Sequence, residues 1–274
     1  MILDCFTFFN ELDLLEGRLE YLYNSVDYFI LVESNLTHSG KAKPMIFIQN
    51  IERFKKYQDK ILYFPFVTTP EEYNFSQLPT WERDYESGSW KMENAQRNHI
   101  TKALELFKDD VVVMISDLDE IPHKGCIDIA KNSFKTHWPI FAIEQTLFSS
   151  NFSRKMIGTW HGTVITTNQY AKTVGAQGCR EVKYSIPVIN NGGWHLTFWG
   201  SIQDIQNKID SFSHQELNTD FYKDPERLKE KITNGGCIFD KGTQFETVDI
   251  STIDPDIVRI FGNFNNKLLS SINV

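Results

Sequence analysis

The chain has 274 residues, 41% hydrophobic and 23% charged, with 28 Lys+Arg against 36 Asp+Glu and a net charge of −8. That is a soluble globular composition, long enough for a sizeable core, and it excludes whole-chain disorder, a collagen-like repeat and a disulfide scaffold. The acidic balance repels phosphate backbones, so no nucleic-acid partner is expected. In chain order, Ile2 to Phe8 is a short apolar run, read as a buried strand. Leu12, Leu15, Leu19, Leu22 and Tyr23 then recur at helical spacing. Tyr28 to Val32 is a second buried strand, and Ser34 to Pro44, polar with Gly and Pro, is a loop. Ile46, Ile51, Phe54 and Tyr57 suggest a helix, and Ile61 to Phe64 a third strand. Thr68 to Trp90 reads as a long surface loop with scattered aromatics, and loops of this length are usually functional. Met92 to Phe107 is the clearest helix. Val111 to Ile115 is the most apolar strand.

After Pro122 the pattern changes. Ile140 to Phe148 and Thr163 to Thr167 look like strands with polar and aromatic alternation, and Ser201 to Phe212 and Pro225 to Ile232 like helices. The reading is an α/β fold in one domain, residues 1–274: a mostly parallel central sheet flanked by helices, with an antiparallel C-terminal extension. Cys5, Cys126, Cys179 and Cys237 are far apart, with no C-x-x-C pair, and read as reduced, mostly buried thiols. No basic leader opens the chain, and no run approaches the roughly 20 apolar residues of a membrane span. A soluble cytoplasmic protein is expected.

Ligands of open α/β sheets bind at the carboxyl ends of the strands. The segments at those ends are Phe8-Phe9-Asn10, Glu33-Ser34-Asn35, the 67–90 loop and Ser116 to Glu120. The strongest signal is Ser116-Asp117-Leu118-Asp119-Glu120. In an extended segment residues i and i+2 point the same way, so Asp117 and Asp119 can converge on one hard divalent ion beside substrate phosphates. A solvated acidic turn, or a carboxylate pair for acid/base work, uses the same residues. Arg97 lies mid-helix before that strand, where it serves either a diphosphate or only solvent. In Asn191-Gly192-Gly193-Trp194-His195 the glycines permit close backbone approach, Trp194 can stack, and His195 is either a third metal ligand or a structural histidine. Trp160-His161-Gly162 and Ser211 to Glu216 are weaker histidine sites. There is no G-x-G-x-x-G, P-loop, G-x-S-x-G or H-E-x-x-H motif.

Asn10-Glu11-Leu12-Asp13-Leu14-Leu15-Glu16 with Arg18-Leu19, Val32-Glu33-Ser34-Asn35 with Thr37, and Gln96-Arg97-Asn98 resemble motifs of family 17 glycosyltransferases. So do Ser116 to Pro122, Gly193-Trp194-His195, and Lys208 through Ser211-Phe212-Ser213-His214-Gln215-Glu216, in the same order over roughly residues 1 to 240. Animal members of that family are the β-1,4-mannosyl-glycoprotein β-1,4-N-acetylglucosaminyltransferases. The resemblance implies a GT-A-like nucleotide-sugar-binding fold, a UDP-sugar donor (UDP-GlcNAc), an oligosaccharide or glycoconjugate acceptor, Mn²⁺ or Mg²⁺, and inversion at the anomeric carbon. Donor contacts fall to Phe8, Asn10, Glu33, Ser34, Arg97, Asp117 and Trp194, and the metal to Asp117, Asp119 and His195. Glu144, Glu181 and Asp204 are the candidate bases, and Trp81, Tyr85 and Trp90 the acceptor-site aromatics. Unlike the anchored animal enzymes, the chain opens directly on its first strand, which fits a bacterial or viral cytosolic enzyme. Golgi residence follows only if an anchor has been trimmed away. Two rival readings stand beside it: a metal-dependent nucleotidyltransferase or phosphohydrolase, which would also use Asp117 and Asp119, and a non-catalytic carbohydrate-binding protein, supported by the aromatics and needing neither a divalent ion nor UDP.

Overall fold

The apolar runs of the first half become four parallel strands. In the computed structural model, which describes residues 1–80, 84–134 and 138–262, these are β1 (Ile2–Phe8), β2 (Tyr28–Ser34), β3 (Ile61–Phe66) and β4 (Val112–Asp117). They lie side by side in the order β4-β1-β2-β3. Continuous hydrophobicity is required because both faces are covered. Alternate side chains go to opposite sides. Phe6, Phe8, Phe29 and Leu31 pack with Leu15, Leu19 and Leu22 of the helix Leu12–Leu22 on one face. Leu3, Cys5, Ile30, Val32, Val113 and Ile115 pack with Ile100, Ala103 and Leu104 on the other. Burying one such Leu or Phe side chain contributes about 1.5–3 kcal/mol.

The second half adds β5 (Glu120–Pro122), β6 (Ile140–Ser149), β7 (Arg154–Met156), β8 (Trp160–Thr167), β9 (Val188–Ile189), β10 (Gly193–Thr197) and β11 (Phe245–Thr247). β8 runs antiparallel beside β4, and β6 antiparallel beside β8. β9 and β10 join β6 in parallel, while β5, β7 and β11 pair antiparallel with β10, β6 and β7. The sheet is therefore mixed, which corrects the expectation of a mostly parallel one. The segment 150–159 between β6 and β8 carries β7 on the far side of β6, and it is too short for the crossover of a dozen or more residues that parallel neighbours would need.

Helix boundaries also differ from the sequence reading. The helix expected from Met92 begins a turn earlier and is broken at His99, giving Gly88–Asn98 and Ile100–Leu104. The segment 46–57 is a short helix, Ile46–Gln49, followed by a 3₁₀ stretch, Ile51–Tyr57. Helices Gly125–Phe134, Asn168–Val174 and Ala176–Glu181 were not expected. No helix among the described residues is long and apolar enough to cross a membrane. Cys5, Cys126 and Cys179 are buried free thiols, and Cys237 is half-buried. Trp81 lies outside the described residues.

The topology fixes where a ligand can sit. β2 and β3 extend the sheet from one side of β1, and β4 returns on the other. The crevice between β1 and β4 is thus a topological switch point, the usual ligand position in open α/β sheets. There Thr7 is registered opposite Asp117.

Candidate active site

A cleft of about 550 Å³ opens at those strand ends. Thr7, Phe8 and Phe9 line it from β1, Leu36, Thr37, His38 and Lys43 from beyond β2, and Asp117, Leu118 and Asp119 from the turn after β4. His195 and Thr197 enter from β10, and Gln177, Arg180, Glu181 and Lys183 from the helix Ala176–Glu181 and the turn after it.

The acidic turn is built from behind by Arg18, whose guanidinium is fully buried. Its Nε and Nη2 donate to both oxygens of Asp4 at 2.8 and 2.6 Å, and Nη2 also to Ser116 Oγ at 2.5 Å. Its Nη1 donates to the carbonyls of Leu118 and Glu120 at 3.1 and 2.6 Å, with Asp117 O at 3.3 Å. One side chain therefore satisfies carbonyls that a tight turn would otherwise leave unpaired.

Asp117 and Asp119 face the cleft with different partners. Asp117 accepts from Arg97 Nη2 at 2.8 Å and from Arg180 Nη2 at 2.9 Å. Arg97 also binds Glu93 at 2.7 Å and donates to Gln177 Oε1. Arg180 grips both oxygens of Glu120, at 2.6 and 2.9 Å, and donates to the Gly162 carbonyl. Burial opposes ionisation of Asp117, but the Arg97 and Arg180 guanidiniums overcome it and hold the carboxyl well below the usual range. Asp119 accepts from Lys208 Nζ at 2.7 Å, with His195 Nε2 at 3.4 Å. Burial again opposes the charge, and Lys208 and His195 hold this carboxyl below its usual range too. The His195 ring packs on Trp160 at 4.7 Å, and Lys183 Nζ lies 4.6 Å over the Trp160 ring.

The remaining nominated residues are dispersed. Glu33 is fully buried; its carboxylate accepts from Lys43 Nζ at 2.8 Å and from the amides of Ile46 and Phe47 at 2.5 and 3.1 Å, tying the loop to the next helix. Ser34 Oγ accepts from the Leu36 amide at 3.0 Å. Trp194 is turned away from His195, because successive residues of β10 point to opposite faces, and packs against Tyr21 and His123. Asn10 and Asp204 line an adjoining pocket that shares Glu11, Phe198 and Lys208 with the main cleft. Asp204 Oδ2 there accepts from Ser201 N and Oγ as a helix cap. Glu144 pairs with His161 across β6 and β8, and Glu181 Oε1 accepts from Gln177 Nε2 at 3.3 Å. Sequence reading missed Arg180, Lys183 and the hub role of Glu120, and it placed Arg18 in a family motif without its role behind the acidic turn. The available signal was cations in a chain whose acidic turn needed counter-charge.

Among the described residues no group of three or more His, Cys, Asp or Glu side chains gathers as a metal cage. Asp119 Oδ1 and His195 Nε2, 3.4 Å apart, are nevertheless spaced for two ligands of one ion, since neighbouring octahedral ligands at about 2.1 Å stand about 3 Å apart. His195 Nδ1 is buried without a hydrogen-bond partner among the described residues. This pair fits an ion, with Asp117 facing the same cleft.

A charged crevice outside the strand ends of an α/β sheet is a ligand-binding position. A family model, Glycosyltransferase family 17, matches residues 1–245, and the chain belongs to that family. It is a glycosyltransferase, and membership implies a nucleotide-sugar donor and a glycan acceptor. Among solved structures it is similar to the 4-diphosphocytidyl-2C-methyl-D-erythritolsynthase from Anaerococcus prevotii, at 10% identity and a TM-score of 0.43, over 80% of this chain and 96% of that one. No curated protein matches the chain.

Proposed function

We propose that the chain transfers GlcNAc from UDP-GlcNAc to a glycan acceptor with inversion, in a GT-A-like cleft that takes Mn²⁺ or Mg²⁺. What carries this reading is the cluster of Arg97, Arg180, Lys208 and His195 around Asp117 and Asp119 at the switch point of a family 17 chain. Glycosyl transfer from a nucleotide sugar develops negative charge on the departing diphosphate. Pre-positioned cations stabilise that charge more than they stabilise the ground state. Arg97 and Arg180 are buried and fixed by several bonds each, so they do not have to reorganise when the charge appears. Asp119 and His195 would hold the ion, which supplies further charge neutralisation when bound. Phe8 and Phe9 offer apolar faces for the base, and Tyr85 and Trp90 for the acceptor.

A thermal-shift and calorimetry panel of UDP-, GDP- and CMP-sugars, with and without Mn²⁺, tests the assignment. Metal-dependent stabilisation by UDP-GlcNAc alone, lost in Asp119→Ala, is expected. Binding of UDP with unchanged metal dependence in that variant would remove Asp119 from the metal site. Preference for another nucleotide would replace the donor.

A further inference from the structure

On the acceptor side of the cleft a histidine and a carboxylate are paired. His214 Nδ1 lies 2.7 Å from Glu216 Oε1, close enough for a charge-assisted hydrogen bond. The two residues sit in one short turn: the His214 carbonyl receives the Leu217 amide at 2.9 Å. The ring is wedged between aromatic neighbours, the edge of Trp90 at 4.9 Å and Phe212 at 5.6 Å, and Tyr85 packs on Trp90 at 6.0 Å. Both His214 and these aromatics line the cleft. The Nε2 atom has no protein hydrogen-bond partner among the described residues.

This pair is wired to the acidic turn. Ser89 Oγ, on the helix Gly88–Asn98 that also carries Glu93 and Arg97, donates to the Ser213 carbonyl at 2.9 Å. Glu93 binds Arg97, and Arg97 binds Asp117. The segment carrying His214 is therefore fastened to the helix that supplies the diphosphate-facing arginine. Nucleophile, base and orienting carboxylate form a recurrent catalytic arrangement, in which the carboxylate fixes the tautomer and steadies the imidazolium. Among the carboxylates, Glu181 shares its helix with Arg180 and belongs to the cationic side, while Asp204 caps a helix.

We propose that His214 is the catalytic base of the transfer and Glu216 its positioning residue. This deepens the reading of the cleft as an inverting transferase and rests on it. The acceptor hydroxyl gives its proton to His214 Nε2 as its oxygen forms the bond to the anomeric carbon. The bond from that carbon to the nucleoside diphosphate breaks in the same displacement, and its electron pair leaves on the phosphate oxygen. Glu216 remains a carboxylate, accepting the Nδ1–H bond and facing the positive ring. The proton later passes to solvent, so the ring is restored and nothing is oxidised or reduced.

The test uses the whole chain with UDP-GlcNAc and a panel of oligosaccharide acceptors. His214→Ala and His214→Gln should each lower kcat by about 10²–10⁴-fold, with the Kd for UDP within about twofold of the parent's. Added imidazole should restore part of the His214→Ala rate. Glu216→Gln should give a smaller loss in kcat. It should also abolish the low-field Nδ1 proton signal of His214, which nitrogen-edited NMR reads without any turnover. Parental kcat in His214→Ala, or an Nε2–H tautomer in the parent, overturns the base role alone. A parent that transfers no sugar from UDP-, GDP- or CMP-sugars, or whose product keeps the donor's anomeric configuration, overturns the inverting-transferase reading and the base role with it.

Discussion

Arg18 is the residue on which the shape of the acidic turn depends. A guanidinium with no solvent exposure is tolerated because Asp4 balances its charge and the remaining N–H groups meet carbonyls and Ser116. Removing one partner of a buried ion pair leaves the other uncompensated, a cost of about 3–5 kcal/mol. Arg18→Met should destabilise by that order in urea denaturation, with donor affinity falling as well. Asp4→Leu combined with Arg18→Met should recover much of the stability and little of the affinity, because the turn carbonyls stay unpaired. The carboxylates Asp117 and Asp119 give a pH signature. Both titrate lower in the folded chain than in the unfolded one, so the unfolded chain binds protons more readily in acid. Their contribution to stability is full above the ordinary carboxylate range, about pH 4, and is lost as pH falls through the lower folded values. Urea midpoints measured from pH 6 downward should fall more steeply for the parent than for Asp119→Asn.

At the scale of the element, β10 is the strand that brings His195 to the turn. Its register places His195 opposite Glu120 and Gly193 opposite Pro122. Gly193 has φ +142°, and a Cβ there would run into the Ile121 carbonyl and the Pro122 backbone. Gly193→Ala should cost about 1–3 kcal/mol from backbone strain and loosen donor binding, checked by calorimetry beside a thermal melt. The glycines were legible in the sequence as a point of close approach; what they approach is β5, a neighbouring strand, which spacing alone does not reveal. Once residues 193–197 are known to be a strand, alternation dictates that Trp194 and His195 take opposite faces. The continuous apolar runs of β1, β2 and β4 were equally legible, because burial on both faces leaves no polar positions. Arg180 and the turn contacts of Arg18 were not, since nothing local distinguishes a cation that meets a carboxylate about 60 residues away, or backbone carbonyls about 100 residues away, from one that meets water.

Across the whole molecule, the parallel and antiparallel portions of the sheet share one cleft. Its walls come from β1, the turn after β4, β10 and the segment around His214. A donor seated there touches elements far apart in the chain, so its binding free energy should stabilise the two portions together. At a nucleotide-sugar concentration of 100 Kd, about 2.7 kcal/mol of linkage stabilisation is expected. Hydrogen exchange should then show protection appearing in β4 and β10 at the same ligand concentration. Protection confined to one of them would mean that the donor bridges nothing.

The distribution of thiols has a practical consequence. Burial pushes the thiol of Cys126 up to about 11 and that of Cys179 up to about 12, and it raises Cys5 as well, so these three react slowly. Cys237 is half-buried and lies on the wall of the cleft beside Ile238 and Phe239. The chain thus carries its own attachment point for an optical reporter. A small environment-sensitive dye on Cys237 should change emission as the cleft fills, turning an unmodified sequence into a sensor of its own occupancy.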